Sequence, residues 1–228
     1  MAINKSSGNM YDWTNTWNPI GGFCKYNCIY CYGKKGRLAK LKKYQGEPRL
    51  IEKELKVLKS DKIIFVGSMT DIFGEWIPSE IIRKVLEHCR KFPENTYLFQ
   101  SKNPKRFFEF IDEFPEKCIL GSTIETNRIY ASISKAPSVS IRIYMMQKIP
   151  ENFETMISIE PIMDLDVNAL IYDIRKINPK FVSIGADSKN SNLPEPNPEK
   201  TRELIKELNK FTKVKIKSNL NRILNRVK

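Results

Sequence analysis

Cys24-Lys25-Tyr26-Asn27-Cys28-Ile29-Tyr30-Cys31 sets three cysteines at the spacing C-x3-C-x2-C. Thiolates this close in sequence converge on one metal or cluster only if the backbone wraps tightly. Gly21, Gly22 and Gly33 bracket the run where sharp turns would be needed. The other cysteines, Cys89 and Cys118, are single and distant, and His88 is the only histidine. A mononuclear zinc site takes four protein ligands, or three and a water, and favours paired C-x2-C elements; no second pair exists here. A [4Fe–4S] cluster ordinarily takes four thiolates, so three would leave one iron open to an outside ligand. Three unrelated buried cysteines are the remaining reading.

With Tyr30 directly before the last cysteine, the run resembles the signature of the radical S-adenosylmethionine (SAM) superfamily. The resemblance implies a [4Fe–4S] cluster on Cys24, Cys28 and Cys31, with SAM chelated at the open iron through its amino and carboxylate groups. It implies reductive cleavage of SAM to methionine and a 5′-deoxyadenosyl radical that abstracts hydrogen from a substrate. An external one-electron donor of ferredoxin or flavodoxin type follows from the same likeness. Trp17-Asn18-Pro19 is similar to a phage and archaeal branch of the superfamily, which supplies a fold and a cofactor but no settled substrate.

A chain of 228 residues reads as one domain, residues 1–228, because (β/α) barrels commonly pass about 200 residues undivided. Its 41% hydrophobic content, with 12 Phe, 9 Tyr and 3 Trp, is enough to fill a core. No apolar run is long enough to span a membrane, and the start, Met-Ala-Ile-Asn-Lys-Ser-Ser-Gly, has no hydrophobic signal core. Five cysteines, three of them in one motif, do not read as a disulfide framework, so a reduced, cytoplasmic protein is expected. The net charge of +13 is unevenly spread. Residues 34–43 hold six cations and no anion, and from Glu199 onward ten Lys and Arg face three Glu. Such stripes suggest a nucleic acid, tRNA or DNA, as partner; a Lys- and Glu-rich thermophilic surface is the other source of the same composition.

Outward from the motif, strands and helices alternate. Tyr11–Trp17 reads as the first strand, and a helix is expected from about Pro48 to Ser60 with Ile51, Leu55 and Leu58 on one face. The apolar run 62–66 reads as a strand covered on both faces, and 96–100, 118–124, 156–160 and 181–185 read as further strands. Between them, helices are expected with Ile81, Ile82, Val85, Leu86 and Cys89, then with Phe107, Phe108 and Ile111, as buried faces. The next two carry Ile141, Met145 and Ile149, then Val167, Leu170, Ile171 and Ile174. Cys89 and Cys118 fall at core positions and His88 at the surface or a boundary. Residues 187–198, with three prolines, read as a long loop, and 214–217 as an edge strand with its lysines outward. Repeated β-α units imply a parallel sheet with right-handed crossovers. Too few units remain for a closed barrel, so the fold class is α/β, a partial (β/α)6 barrel, which is also the core that the resemblance implies.

In such folds ligands gather at the C-terminal strand ends. That rule selects Gly67, Ser68 and Asp71 after the second strand, Ser101 and Lys102 after the third, and Ser122, Thr123 and Glu125 after the fourth. Glu160 follows the fifth and Asp187 the sixth. The resemblance assigns them roles. Gly67-Ser68-Met69-Thr70-Asp71 stands in place of the family's Gly-Gly-Glu motif, from which it departs, and would bind the SAM amino group through Asp71 or the backbone near Ser68. Glu125 and Ser122 would meet the ribose, Lys102 the methionyl carboxylate, and Tyr30 the adenine; Glu160 and Asp187 would face the substrate. No catalytic acid or base is named, since hydrogen abstraction requires neither. The substrate is expected to be a nucleic acid or nucleotide-derived molecule, with a protein or small metabolite as the alternative. A non-enzymatic nucleic-acid-binding protein with a structural metal knot is the reading from a different class.

Overall fold

The structure, a computed structural model, describes residues 4–5, 11–34, 40–130 and 132–226. Its main sheet has eight strands: β1 (Asn4–Lys5), β2 (Asn15–Trp17), β5 (Ile63–Val66), β6 (Thr96–Ser101), β7 (Cys118–Thr123), β8 (Glu154–Ile159), β9 (Phe181–Ile184) and β10 (Lys213–Ile216). They lie in that spatial order, and a two-stranded hairpin, β3 (Ile20–Gly21) with β4 (Arg49–Leu50), stands apart. Seven strands are parallel, the α/β architecture of a partial (β/α) barrel. The eighth, β1, runs antiparallel to β2, so the first parallel strand is not a sheet edge. Among the described residues no helix is long and apolar enough to cross a membrane.

The chain divides into two compact units, Met1–Asn27 with Gly33–Leu120, and Cys28–Tyr32 with Gly121–Lys228. In the first, β2, β5 and β6 pair in parallel over a core of Trp17, Phe65, Phe73, Phe99 and Phe107. Helix α1 (Ser79–Arg90) buries Ile82, Val85, Leu86 and Cys89 at the expected helical spacing, while Ile81 is only half-buried. Burial, then the nearby Cys118, pushes the Cys89 thiol well up, so it is an inert core group. His88 sits at the boundary between the Trp17 and Phe92 rings, with Nε2 2.9 Å from the Lys56 carbonyl.

No helix forms at 48–60. Ile51 N donates to Pro19 O at 2.8 Å and the Trp17 indole to Glu54 O at 3.0 Å, so this backbone is satisfied by β2–β3 rather than by its own turns. Only a 3-10 turn, Glu52–Glu54, remains. The segment Pro104–Glu113 is also 3-10, with non-helical dihedrals at Phe110. A three-residue turn brings Phe107 and Phe110 inward, and Phe108 and Ile111, expected at α-helical spacing, are only partly covered.

In the second unit β8, β9 and β10 pair in parallel, joined by α3 (Val167–Ile177) and α4 (Pro198–Leu208). Asp166 and Asn197 cap these helices, accepting from Ala169 N and Lys200 N at 2.9 and 2.8 Å; α4 thus starts at Pro198, the last residue of the expected loop. Helix α2 (Val139–Met146) corrects its predicted face. Arg142, Ile143 and Met146 are buried, whereas Ile141 is exposed and Met145 half-covered. The last expectation to fail is Lys217, which turns inward at the end of the edge strand β10. A short helix α5 (Asn221–Leu224) closes the described chain.

The loop after β9 is fastened at several points. Asp187 accepts from Lys189 N at 2.8 Å and from Ser191 N, and Asp164 N donates to Pro194 O at 2.6 Å. The buried carboxylate of Glu195 pairs with both Arg222 and Arg226. Burial raises its pKa, yet hydrogen bonds and charge from the two guanidiniums prevail and hold it below the ordinary value. A depressed folded pKa means stabilisation that is present above the unfolded pKa and lost as pH falls through the folded one. Thermal unfolding followed against pH should therefore show stability falling below about pH 4.5, and Glu195→Gln should flatten that fall. An acid slope unchanged in the variant would dismiss the clamp.

Candidate functional site

In the first unit the end of β5 is a tight polar turn. Gly67 has φ +76°, and a Cβ there would lie 2.3 Å from Ile72 Cγ2, so only glycine fits. Asn18 Oδ1 accepts from Ser68 Oγ at 3.2 Å and Met69 N at 3.1 Å, and Thr70 Oγ1 donates to Gly22 O at 3.1 Å. The strand end is thereby tied to the chain that leads into the cysteine run. Asp71 Oδ1 accepts from Ser101 Oγ at 2.7 Å and Phe73 N at 3.1 Å, and Oδ2 from Lys102 N at 2.8 Å. Burial pushes this carboxyl up while these donors pull it down. Asp71, Ser101 and Lys102 are thus brought together, with the carboxylate acting as the tie between the β5 and β6 ends.

In the second unit Cys31 N donates to Cys28 O at 3.2 Å, folding these two cysteines into one turn, and Ile29 N donates to Ile133 O at 3.0 Å. Cys28 Sγ lies 3.1 Å from Ser134 Oγ, a hydroxyl that also accepts from Ala136 N at 3.1 Å. Cys24 belongs to the first unit. None of the five cysteines is in a disulfide. Among the described residues no three His, Cys, Asp or Glu form a group arranged to hold a metal ion.

Next to this turn, the Tyr30 hydroxyl donates to Glu125 Oε1, and Arg142 Nη1 donates to Glu125 Oε2 at 2.8 Å and to Thr123 O at 2.6 Å. All three side chains are buried. Burial first, then the charges of Glu125 and Cys28, push the Tyr30 phenol well above its usual value, so it stays a protonated donor. Sequence reasoning missed Arg142, although an arginine between Ile141 and Ile143 in an apolar helix was the available signal. Ser122 is fully buried on β7. Beyond β8, Glu160 Oε2 meets Lys217 Nζ at 2.5 Å, while Asp187 serves the loop described above.

The basic stripes are partly neutralised. Residues 35–39 of the first lie outside the described residues; Lys43 pairs with Glu54 at 2.6 Å, whereas Lys40 and Lys42 border solvent. In the second, Arg222 and Arg226 face Glu195 and Lys210 faces Glu207.

The family described as "Protein of unknown function (DUF5131)" matches residues 9–195. The chain belongs to that family. No curated protein matches it. Among solved structures, a mutant of spore photoproduct lyase with bound AdoMet and dinucleoside spore photoproduct superimposes with a TM-score of 0.58 at 12% identity, covering 86% of this chain. This chain spans only 61% of that protein's length. A single mutant of the same lyase gives a TM-score of 0.65 at 11% identity, over 95% of this chain and 78% of the other. At such identities the likeness is one of fold.

The buried Tyr30–Glu125–Arg142 group yields a direct test. Removing the guanidinium strands a carboxylate in a low-dielectric setting, which costs about 3–5 kcal/mol. Arg142→Met should therefore lower stability in denaturant by that order, and Tyr30→Phe by only about 1–2 kcal/mol. Equal losses would mean that the ion pair is not the dominant member.

Proposed function

We propose that this protein is a radical SAM enzyme, acting on a nucleic acid or a nucleotide-derived substrate. The observation that carries the class is the C-x3-C-x2-C run on a partial (β/α) barrel, the fold it shares with a lyase whose structure contains AdoMet. The donor set fits an iron–sulfur cluster: three cysteines within eight residues, none in a disulfide, with a hydroxyl against the sulfur of Cys28. Cys24, Cys28 and Cys31 would hold the cluster. Bound there with SAM, it would supply the electron that cleaves SAM and releases a hydrogen-abstracting radical.

The chain's own residues then have definable tasks. Asp71 rigidifies the two strand ends beside which the SAM amino group would lie, leaving backbone groups near Ser68 as the direct acceptors. Tyr30, held by Glu125, presents a fixed ring for adenine, and Ser122 with Glu125 stays the choice for the ribose. Lys102 would take the methionyl carboxylate. The whole of 1–228 would work as one domain in a reducing cytoplasm, fed by a ferredoxin- or flavodoxin-type donor. The substrate class is supported by the excess of cations and by the dinucleoside bound to the lyase of shared fold.

Anaerobic reconstitution tests the class. Wild-type protein should bind about four irons, and Cys24→Ala, Cys28→Ala or Cys31→Ala should each abolish loading. Cys89→Ala and Cys118→Ala should keep the iron and lose only packing stability. Dithionite-reduced protein should release 5′-deoxyadenosine from SAM, detected chromatographically. A colourless protein holding one zinc would instead support the metal-knot reading.

A further inference from the structure

We propose that Trp76 is a further cofactor-contacting residue, its indole N–H a donor kept for an electron-rich acceptor that arrives with the group the cysteine run holds. The inference rests on the function proposed above and adds a residue to its site. It starts from one atom. Trp76 Nε1 is buried and has no hydrogen-bond partner among the described residues. An indole nitrogen can only donate, and a buried donor left unpaired bears the whole of its desolvation penalty. Buried tryptophans usually find an acceptor, so an orphan of this kind calls for a reason.

Looseness of the loop is not that reason. Gly74 N donates to Asp71 O at 3.1 Å and Ile77 N to Gly74 O at 2.9 Å, closing two successive turns. Arg106 Nη1 also donates to Gly74 O, and Asn103 Nδ2 to Phe73 O at 3.2 Å. Ile72, Phe73 and Ile77 are buried around them. The backbone is moreover shaped for the indole: a Cβ at Gly74 would lie 2.6 Å from both Trp76 Cη2 and Cζ2. Phenylalanine would fill an apolar slot without bringing a polar atom into it.

Placement names the source of the acceptor. This loop leaves the C-terminal end of β5, the side on which ligands gather in parallel (β/α) folds. Within the same unit Trp76 packs edge-to-face on Tyr26, ring centres 4.6 Å apart at 81°, and Tyr26 stands between Cys24 and Cys28 in the sequence. Asn18 and Gly22, on the chain leading into that run, accept from Ser68, Met69 and Thr70 of the same strand-end loop. The donor thus belongs to the seam between the loop after β5 and the cysteine run. A cofactor held by that run brings lone pairs and negative charge, on the sulfurs of a cluster and on the carboxylate of SAM. An N–H in an apolar setting holds such acceptors strongly.

The test compares metal-free and cluster-loaded protein in wild type, in Trp76→Phe, and in a chain with benzothienylalanine in place of Trp76, which keeps the bicyclic shape and removes only the donor. Metal-free, the benzothienylalanine chain should unfold at the wild-type denaturant concentration or above it, because the N–H has no partner to lose there. Loaded, both variants should keep their iron and show one of two changes. With sulfur as the acceptor, the reduction potential followed by electron paramagnetic resonance falls, since a hydrogen bond to sulfur favours the more negative, reduced cluster. With the carboxylate as the acceptor, calorimetry shows SAM binding weakened by at least about tenfold, the loss of one charge-assisted hydrogen bond. The proposal is overturned if the loaded variants match wild type in both measurements. It is equally overturned if the metal-free benzothienylalanine chain is already less stable, which would make the Tyr26 ring or another neighbour the acceptor. Failure of the class is read separately: wild-type protein that loads zinc and no iron sinks the radical SAM reading. The donor then stands if the variants lose zinc to a chelator faster than wild type, and falls if they do not.

Discussion

The carboxylate of Glu125 is the group on which the cysteine turn depends. A buried carboxylate without partners is prohibitively desolvated, and here each oxygen is assigned: one to the Tyr30 hydroxyl, the other to Arg142. Three stretches far apart in sequence are thereby held at one point, the cysteine turn, the end of β7 and the first turns of α2. Asp71 performs the equivalent task in the other unit, joining the β5 and β6 ends through three donors. In each unit a strand-end carboxylate is therefore a structural tie.

What was legible from sequence follows the strength of the hydrophobic signal. The apolar strands β5, β8 and β9 and the stripes of α1 and α3 bury most of what their spacing indicated, Ile63 and Ile81 excepted. Where a polar group must be buried, periodicity misleads. Arg142 has to reach Glu125, so α2 is rotated until Ile141 lies in solvent. The stretch 48–60 has helical spacing but no helix, since Pro19 and Trp17 take its backbone groups. Around Phe107 and Phe110 the turn is tighter than assumed, and the buried face shifts by one residue.

The same holds at the site. Strand-end position picked out Asp71, Glu125 and Glu160 without any knowledge of their partners, and each proves to be engaged by a donor or a cation. Two of their partners, Arg142 and Lys217, were not chosen: Lys217 is marked only by proximity across a long stretch of chain, and Arg142 by the one local signal of an arginine in an apolar helix. Net charge was a coarser guide than placement. Several cations of the C-terminal stripe face glutamates, and Lys217, read as facing outward, turns in to Glu160 while Lys215 lies over the Phe181 ring.

The clamp on the loop after β9 has a practical side. The family match ends at Glu195, the residue whose carboxylate is held by Arg222 and Arg226. A fragment cut at that boundary would keep the loop and discard both of its anchors, together with β10 and the helix that delivers it. The edge of β9 would then be bare, with unpaired backbone groups open to association between copies. The natural unit for expression and crystallisation is therefore set by an ion pair, some thirty residues beyond the point where sequence similarity stops.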